Sequence, residues 1–181
     1  MNGENKLVII ENGKLRCVSL DDKLEWKVGR VSENNVPDIK LHSATVSRRH
    51  GKFQNMDGDW YYIDLKGKNG TVYNEKHIGG AGSKRIKPVL MKNGDIFIFG
   101  GGEDPVINSK TVWALYTTNF TDPHWRIEDT RGMEIVAFSA GGEQVKMECP
   151  KKGTVIELEG GMAIYMGDIT YLTGNMKVAG E

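Results

Sequence analysis

The chain has 181 residues, of which 39% are hydrophobic, and it carries 24 basic and 24 acidic residues, so its formal net charge is zero. This hydrophobic content supports a sizeable core and excludes a disordered chain. The charge balance argues against nonspecific binding to nucleic acid or to an anionic membrane. The sequence has no apolar run of membrane-spanning length and no secretion signal at its start, so we expect a cytoplasmic protein.

The sequence shows no cluster of side chains that indicates a metal site or a catalytic site. Cys17 and Cys149 lie far apart and read as reduced thiols, and the four histidines lack the spacing of metal ligands. The sequence also lacks a nucleotide-binding loop and a nucleophile elbow. We therefore expect no metal, no cofactor and no enzymatic activity.

Short β-rich runs separated by glycine-containing turns predict an all-β fold, in the form of a sandwich or a barrel. In chain order the predicted strands of the first two thirds are residues 6–10, 14–20, 25–28, 38–41, 51–56, 60–64, 77–78, 85–90, 96–99 and 111–117.

Two loops, residues 47–50 and 66–71, flank a pair of these runs that is joined at Asp57-Gly58. An Asp-Gly pair between β-rich runs is a strong hairpin signal. A hairpin brings its outer ends together, so the two loops should meet at one end of the sheet. That end would carry a hydroxyl, two guanidinium groups, two ammonium groups and a carboxamide, which are hydrogen-bond donors suited to a phosphate.

From residue 119 the composition stays β-like, but the clusters of charge disappear. The predicted strands there are residues 125–128, 134–139, 145–149, 154–158 and 162–172. We interpret residues 119–181 as a β-rich C-terminal extension or a small second domain, with a junction at Asp122-Pro123. Residues 125–132 resemble 60–67, and residues 167–174 resemble 94–100. A partial repeat of the second half of the first domain and chance similarity of turns both remain open.

Five short motifs occur in a fixed order in the first two thirds of the chain: Gly29-Arg30, Ser47-Arg48-Arg49-His50, Asp64, Asn69-Gly70-Thr71 and Gly94-Asp95. In this order, on a β-rich background, they resemble the forkhead-associated (FHA) domain, a phosphothreonine-binding β-sandwich. The resemblance covers about residues 6–118 and does not reach residues 119–181. It implies an FHA-like β-sandwich that binds phosphopeptides.

The resemblance also implies roles for individual residues. Arg30 and Ser47 would bind the phosphate, and Arg48 would add a second cation. Lys68, at a position that is often threonine or serine in the family, would reach the phosphate with its ammonium group. Asn69 would hydrogen-bond the backbone of the phosphopeptide.

Other matched positions are implied to support the site structurally. These residues are Gly29, His50, Gly70 and Thr71. Lys66 and Gly67 depart from the small, hydroxyl-rich residues usual in the family, which makes the loop more basic.

The leading hypothesis is a non-catalytic module that binds phosphothreonine and recruits a phosphorylated partner protein. The alternative is a phosphate-independent scaffold or dimerisation module, motivated by the β-rich tail, whose strands must pair with something. The sequence leaves open the partner, its kinase, the residues preferred around the phosphothreonine, the oligomeric state and whether the chain is part of a larger protein.

Overall fold

The structure is a computed structural model that describes residues 5–12, 14–102 and 111–118, together with the strands of residues 119–181. The chain forms two compact units, Met1–Thr118 and Asn119–Glu181. Apart from one 3-10 turn at Leu20–Asp22, the described secondary structure is β. Over these same residues no helix has the length and apolar character needed to cross a membrane.

The strands of the first unit are short and joined by turns and loops. They are β1 (Lys6–Glu11), β2 (Lys14–Ser19), β3 (Glu25–Arg30), β4 (Ile39–Leu41), β5 (Gly51–Met56), β6 (Asp59–Asp64), β7 (Thr71–Tyr73), β8 (Lys76–Ile78), β9 (Val89–Leu90), β10 (Ile96–Phe99) and β11 (Val112–Thr117).

These strands form two sheets. One has six strands in the order β2-β1-β11-β10-β7-β8, and the other has five in the order β4-β3-β5-β6-β9. Strands β3 and β4 pair in parallel. The remaining neighbours in both sheets are antiparallel. Because β6 belongs to one sheet and β7 to the other, the loop between them crosses the end of the sandwich.

Aromatic side chains from both sheets meet in the core. Phe53 of β5 lies edge-on to Phe97 of β10, with ring centroids 5.5 Å apart, and the Tyr62 ring lies 5.0 Å from that of Phe97. All three side chains are almost completely buried, within a cluster that also takes aliphatic residues from both sheets. This packing fixes the end of the β5–β6 hairpin from which the two predicted loops extend. The all-β sandwich prediction is confirmed.

Two local predictions were wrong. The sequence assigned a strand to residues 85–90, but only Val89–Leu90 is a strand. Residues 85–88 are exposed and include Pro88, which cannot donate to a β-ladder. Conversely, no strand was predicted over Thr71–Tyr73, and Thr71 was assigned to the second loop, yet these residues form β7 between β10 and β8. Three residues are too few to show alternation, and this strand depends on its tertiary neighbours.

The second unit contains a three-stranded and a four-stranded antiparallel sheet. Its strands are β12 (Trp125–Asp129), β13 (Glu134–Ser139), β14 (Gln144–Glu148), β15 (Val155–Leu158), β16 (Gly161–Tyr165), β17 (Thr170–Leu172) and β18 (Val178–Ala179). The strand predicted over residues 162–172 is therefore two strands, and the last strand was not predicted. The Asp122-Pro123 junction and parts of the repeated segments lie outside the described residues.

Candidate functional site

The two loops of interest meet at one end of the sandwich. The β5–β6 hairpin turns at Asp57 and Gly58, whose φ angles of 55° and 95° are those of a tight hairpin turn. The backbone N–H of Lys68 donates to Ser47 Oγ over 2.9 Å. The Asn69 side-chain amide donates to the carbonyl of Thr45 over 2.8 Å. Both bonds link the β6–β7 loop to the β4–β5 loop.

The hydroxyl of Ser47 is prepared to act as a donor. Its oxygen accepts the Lys68 N–H, and its own hydrogen is left to donate to a ligand. Sequence reasoning assigned Lys68 a side-chain role, but the bond that joins the loops uses the Lys68 backbone. Any residue except proline can supply that N–H, so the lysine at this position leaves the link between the loops intact.

Arg30, the last residue of β3, is fastened to the same loop. Its backbone N–H donates to the carbonyl of Ser47 over 3.0 Å, and its Nε donates to the carbonyl of Val46 over 3.1 Å. Within the described part of the chain, its two terminal guanidinium nitrogens have no hydrogen-bond partner. They form a fork that remains available to an anion beside the Ser47 hydroxyl.

Gly29 makes this close approach possible. A Cβ at this position would lie 1.9 Å from the carbonyl oxygen of Arg48, a separation that no real side chain tolerates. Strand β3 can therefore pass directly beneath the Ser47 loop only with glycine at this position.

Sequence reasoning missed Asn35. Its side-chain Nδ2 donates to the carbonyl of Arg30 over 3.0 Å and to the carbonyl of Arg48 over 2.8 Å. One carboxamide thus ties the end of β3 to the second residue of the Ser47 loop. No strand was predicted between residues 28 and 38, and an asparagine in such a connecting segment gives no signal of its distant partners.

Several cations surround these donors. Arg48, Lys66 and Lys68 are exposed, and their side chains form no ion pair or hydrogen bond with another described residue. Lys66 adopts a left-handed backbone conformation, with φ of 62°. Its N–H donates to Asp64 Oδ1 over 2.8 Å, which compensates part of the strain. The site therefore presents positive charge and donors, a combination suited to a dianion.

The imidazole of His50 lies fully buried beneath the two loops. Its Nδ1 accepts the N–H of Ser47 over 3.2 Å, so the ring proton of the neutral form lies on Nε2. That Nε2 donates to the carbonyl of Gly70 over 2.8 Å. One ring therefore bridges the first loop and the second, and it does so only in the neutral form, because a protonated Nδ1 could not accept from Ser47.

Asp64 holds the second loop from below. Its Oδ2 accepts from the hydroxyl of Thr71 over 3.0 Å, and its Oδ1 accepts the N–H groups of Lys66 and Gly80. The Tyr62 hydroxyl bonds Thr71 Oγ1 over 2.7 Å. Burial, with the neighbouring Asp64 carboxylate, raises the pKa of Tyr62 well above its ordinary value, so it stays a neutral donor.

Gly70 completes the second loop. Its φ is +66°, in the left-handed region that glycine tolerates best, and an added Cβ would lie 2.6 Å from Nε2 of His77. Its N–H donates to the carbonyl of Gly67, closing a turn with Lys68 and Asn69 at the corner. The turn exposes the Lys68 side chain and leaves Asn69 half-buried.

The buried imidazole makes stability depend on pH. Burial lowers the pKa of His50 below its ordinary value of 6.5, opposed by the Asp64 carboxylate and by the bond to Gly70. The unfolded chain takes up this proton near pH 6.5, and the folded chain does so only at lower pH. The contribution of His50 to the free energy of unfolding is therefore fully present above about pH 6.5. On acidification it falls by at most about 1.4 kcal/mol per pH unit.

Urea unfolding between about pH 7.5 and pH 5 measures this dependence. We expect a variant with His42→Gln, at an exposed histidine, to keep the pH dependence, and a variant with His50→Gln to lose most of it. Equal pH dependence in the wild type and the His50 variant would contradict this role.

The structure thus brings together all the residues that the sequence singled out for ligand contact and for support. Those assigned to the ligand are Arg30, Ser47, Arg48, Lys68 and Asn69, and those assigned to support are Gly29, His50, Gly70 and Thr71. Among the described residues, no three His, Cys, Asp or Glu side chains gather as a metal-ligand set.

The match to a known protein family lies within the first unit, Met1–Thr118. Residues 26–100 match the family model described as the FHA domain. Over 111 residues the chain is 27% identical to the E3 ubiquitin-protein ligase DMA2 of Saccharomyces cerevisiae, a match that covers 55% of this chain and 21% of that protein. Over 74 residues it is 34% identical to the oxoglutarate dehydrogenase inhibitor of Corynebacterium diphtheriae, covering 41% of this chain and 50% of that protein. The chain therefore spans between a fifth and a half of the curated relatives it matches.

Among solved structures, the yeast Pml1 splicing factor is similar in fold. The match has a TM-score of 0.50 and 24% sequence identity, and it covers 63% of this chain and 78% of that one. FHA domains are protein-interaction modules. The family match confirms the predicted resemblance to the FHA domain over residues 26–100 of the first unit, and the sandwich fold agrees with it.

Proposed function

We propose that residues 6–118 bind a phosphothreonine-containing segment of a partner protein and so recruit that partner. Arg30 and Ser47 would hold the phosphate, with Arg48 and Lys68 supplying further positive charge. Asn69 would bond the backbone of the bound segment through its carboxamide oxygen and the second hydrogen of Nδ2, whose first hydrogen bonds Thr45.

The observation that carries the proposal is the attachment of Arg30 to the Ser47 loop. The Nε bond to Val46 leaves a guanidinium fork at the loop whose next residue, Ser47, accepts the Lys68 N–H with its hydroxyl oxygen. The terminal guanidinium nitrogens and the Ser47 hydroxyl hydrogen can then donate to a ligand, because none of them donates to another described residue. A phosphothreonine brings about −1.5 to −2 charges at neutral pH and three acceptor oxygens, which matches this arrangement.

The strength of binding follows from a few such contacts. A hydrogen bond to a charged group contributes about 1.5–3 kcal/mol. Two or three of them, less the cost of ordering the peptide, suit a Kd in the micromolar range, or about −8 kcal/mol. Affinity of this order allows a reversible interaction controlled by phosphorylation.

Calorimetric titration tests the proposal with three peptides of the same sequence that carry phosphothreonine, phosphoserine or threonine. A library screen would first supply that sequence. We expect micromolar binding of the phosphothreonine peptide, weaker binding of the phosphoserine peptide and none of the third. Equal binding of the phosphorylated and unphosphorylated peptides would favour a phosphate-independent scaffold and overturn the proposal.

A further inference from the structure

Two lysines of the first unit that lie away from the site have carboxylate partners. Lys23 Nζ lies 2.5 Å from Asp38, and Lys52 Nζ lies 3.0 Å from Glu25. Five of the cations that follow β6 have no such partner. They are exposed, and none has an ion pair or side-chain hydrogen bond with another described residue: Lys66, Lys68, Lys84, Arg85 and Lys87.

Asp64 holds the start of the segment that carries the cations after residue 80 next to Lys66. A single carboxylate oxygen, Oδ1, accepts the N–H of Lys66 over 2.8 Å and the N–H of Gly80 over 3.1 Å. Gly79 packs against the same carboxylate so closely that a Cβ would lie 2.2 Å from its carbon. Residues 80–87, which we name the basic loop, therefore begin beside Lys66 and next to the loop that carries Lys68.

The start of the basic loop is itself a turn. The N–H of Ser83 donates to the carbonyl of Gly80 over 3.1 Å, and Ser83 Oγ donates to the carbonyl of Arg85 over 2.8 Å. These bonds fold the chain back just before its charged residues. Lys84 and Arg85 therefore follow directly after a turn that begins at Gly80, whose N–H bonds Asp64.

The charge of this part of the chain is one-sided, although the whole protein is neutral. Residues 65–88 contain six basic side chains and one acidic one, Glu75. Glu75 and the adjacent Lys76 lie at the turn between β7 and β8, at the opposite end of that hairpin from Gly70, so the remaining five basic side chains have no acidic one among them. One exposed pair of opposite charges contributes little to the free energy of binding. Several cations on one side of an anionic ligand attract it together.

We propose that Lys66 and the basic loop form a second anionic subsite, which takes acidic side chains of the same segment whose phosphothreonine occupies the Arg30–Ser47 site. This inference rests on the proposed function. It assigns a class of partner: a protein whose phosphothreonine is flanked on one side by aspartate or glutamate residues. Lys66, at the junction of the two loops, would lie between the phosphate and the acidic stretch.

The test uses three phosphothreonine peptides, one with neutral flanks, one with three aspartates before the phosphothreonine and one with three after it. An exposed ion pair changes affinity by about two- to fivefold, so at low salt we expect one of the two acidic peptides to bind about tenfold more tightly than the neutral one. In about 0.5 M salt, where the screening length is only about 4 Å, the gain should shrink to about twofold.

Two matched triple variants locate the effect. Lys84→Ser, Arg85→Ser and Lys87→Ser remove three charges from the basic loop. As the control, Lys27→Ser, Lys76→Ser and Lys92→Ser remove three exposed charges elsewhere. We expect the first set to abolish the gain of the acidic peptide while changing the affinity of the neutral peptide by less than about threefold. The control set should preserve the gain.

The outcomes separate this inference from the proposed function. If the neutral peptide binds but neither acidic peptide gains, or if the gain survives in the basic-loop variant, the second subsite is wrong and the phosphothreonine site stands. If no phosphopeptide binds the wild-type protein, the proposed function fails and the subsite fails with it.

Discussion

Replacement of Arg30 by alanine should weaken binding of a phosphothreonine peptide by about 30- to 150-fold. The guanidinium fork is expected to make charge-assisted hydrogen bonds to the phosphate, and their loss costs about 2–3 kcal/mol. The variant should still fold, because Arg30 is only half-buried and the backbone bond from its N–H to Ser47 remains. Calorimetric titration measures the change in Kd, and circular dichroism checks the fold.

Arg49 supplies a matched control within the same loop. It is an exposed arginine without an ion pair or side-chain hydrogen bond to another described residue. We expect Arg49→Ala to change Kd by less than about threefold. Arg30→Lys should fall between the two, because lysine keeps the charge but has neither the fork nor the Nε bond to Val46. An Arg30→Ala protein that binds as tightly as the wild type would contradict the assigned role.

The largest effect on stability is expected at Asp64. Asp64→Ala removes the acceptor for the N–H groups of Lys66 and Gly80 and for the hydroxyl of Thr71. The carboxylate is 6% exposed, so water cannot readily replace it, and the three donors would be left without a partner. We expect the free energy of unfolding to fall by about 3–5 kcal/mol.

Urea unfolding of two further variants shows whether the loss belongs to this network. Asp59, at the other end of β6, is exposed, and Asp59→Ala should change the free energy of unfolding by less than about 0.5 kcal/mol. Asp64→Asn keeps one carbonyl oxygen for the two N–H groups but loses the charge, so we expect a smaller loss than with alanine. A stability loss at Asp64 no greater than that at Asp59 would refute the account of how the second loop is held.

The meeting of the two loops could be predicted because its causes are local. The Asp57-Gly58 pair specifies a tight turn, and alternating runs on either side specify a hairpin, so the outer ends must converge. The positions of Arg30 and Ser47 followed from the order of short motifs. These features depend on short stretches of sequence, so they can be predicted without knowledge of the rest of the fold.

Other parts of the site depend on partners that are distant in sequence. Nothing around Asn35 indicates that its carboxamide joins the carbonyls of Arg30 and Arg48. Likewise, the single oxygen of Asp64 that fixes Lys66 and Gly80 becomes visible only once both sheets are assembled. That the basic loop begins next to Lys66 also depends on this shared acceptor.

The central claim is that Arg30 and the two joined loops bind a phosphorylated segment. It is tested most directly by nuclear magnetic resonance of the 15N-labelled protein during titration with a phosphothreonine peptide and with its unphosphorylated counterpart. The account predicts that the backbone amides of Ser47, Lys68 and Asn69 and the Nε of Arg30 shift with the phosphopeptide alone. Shifts confined to another surface, or the same shifts with both peptides, would contradict it.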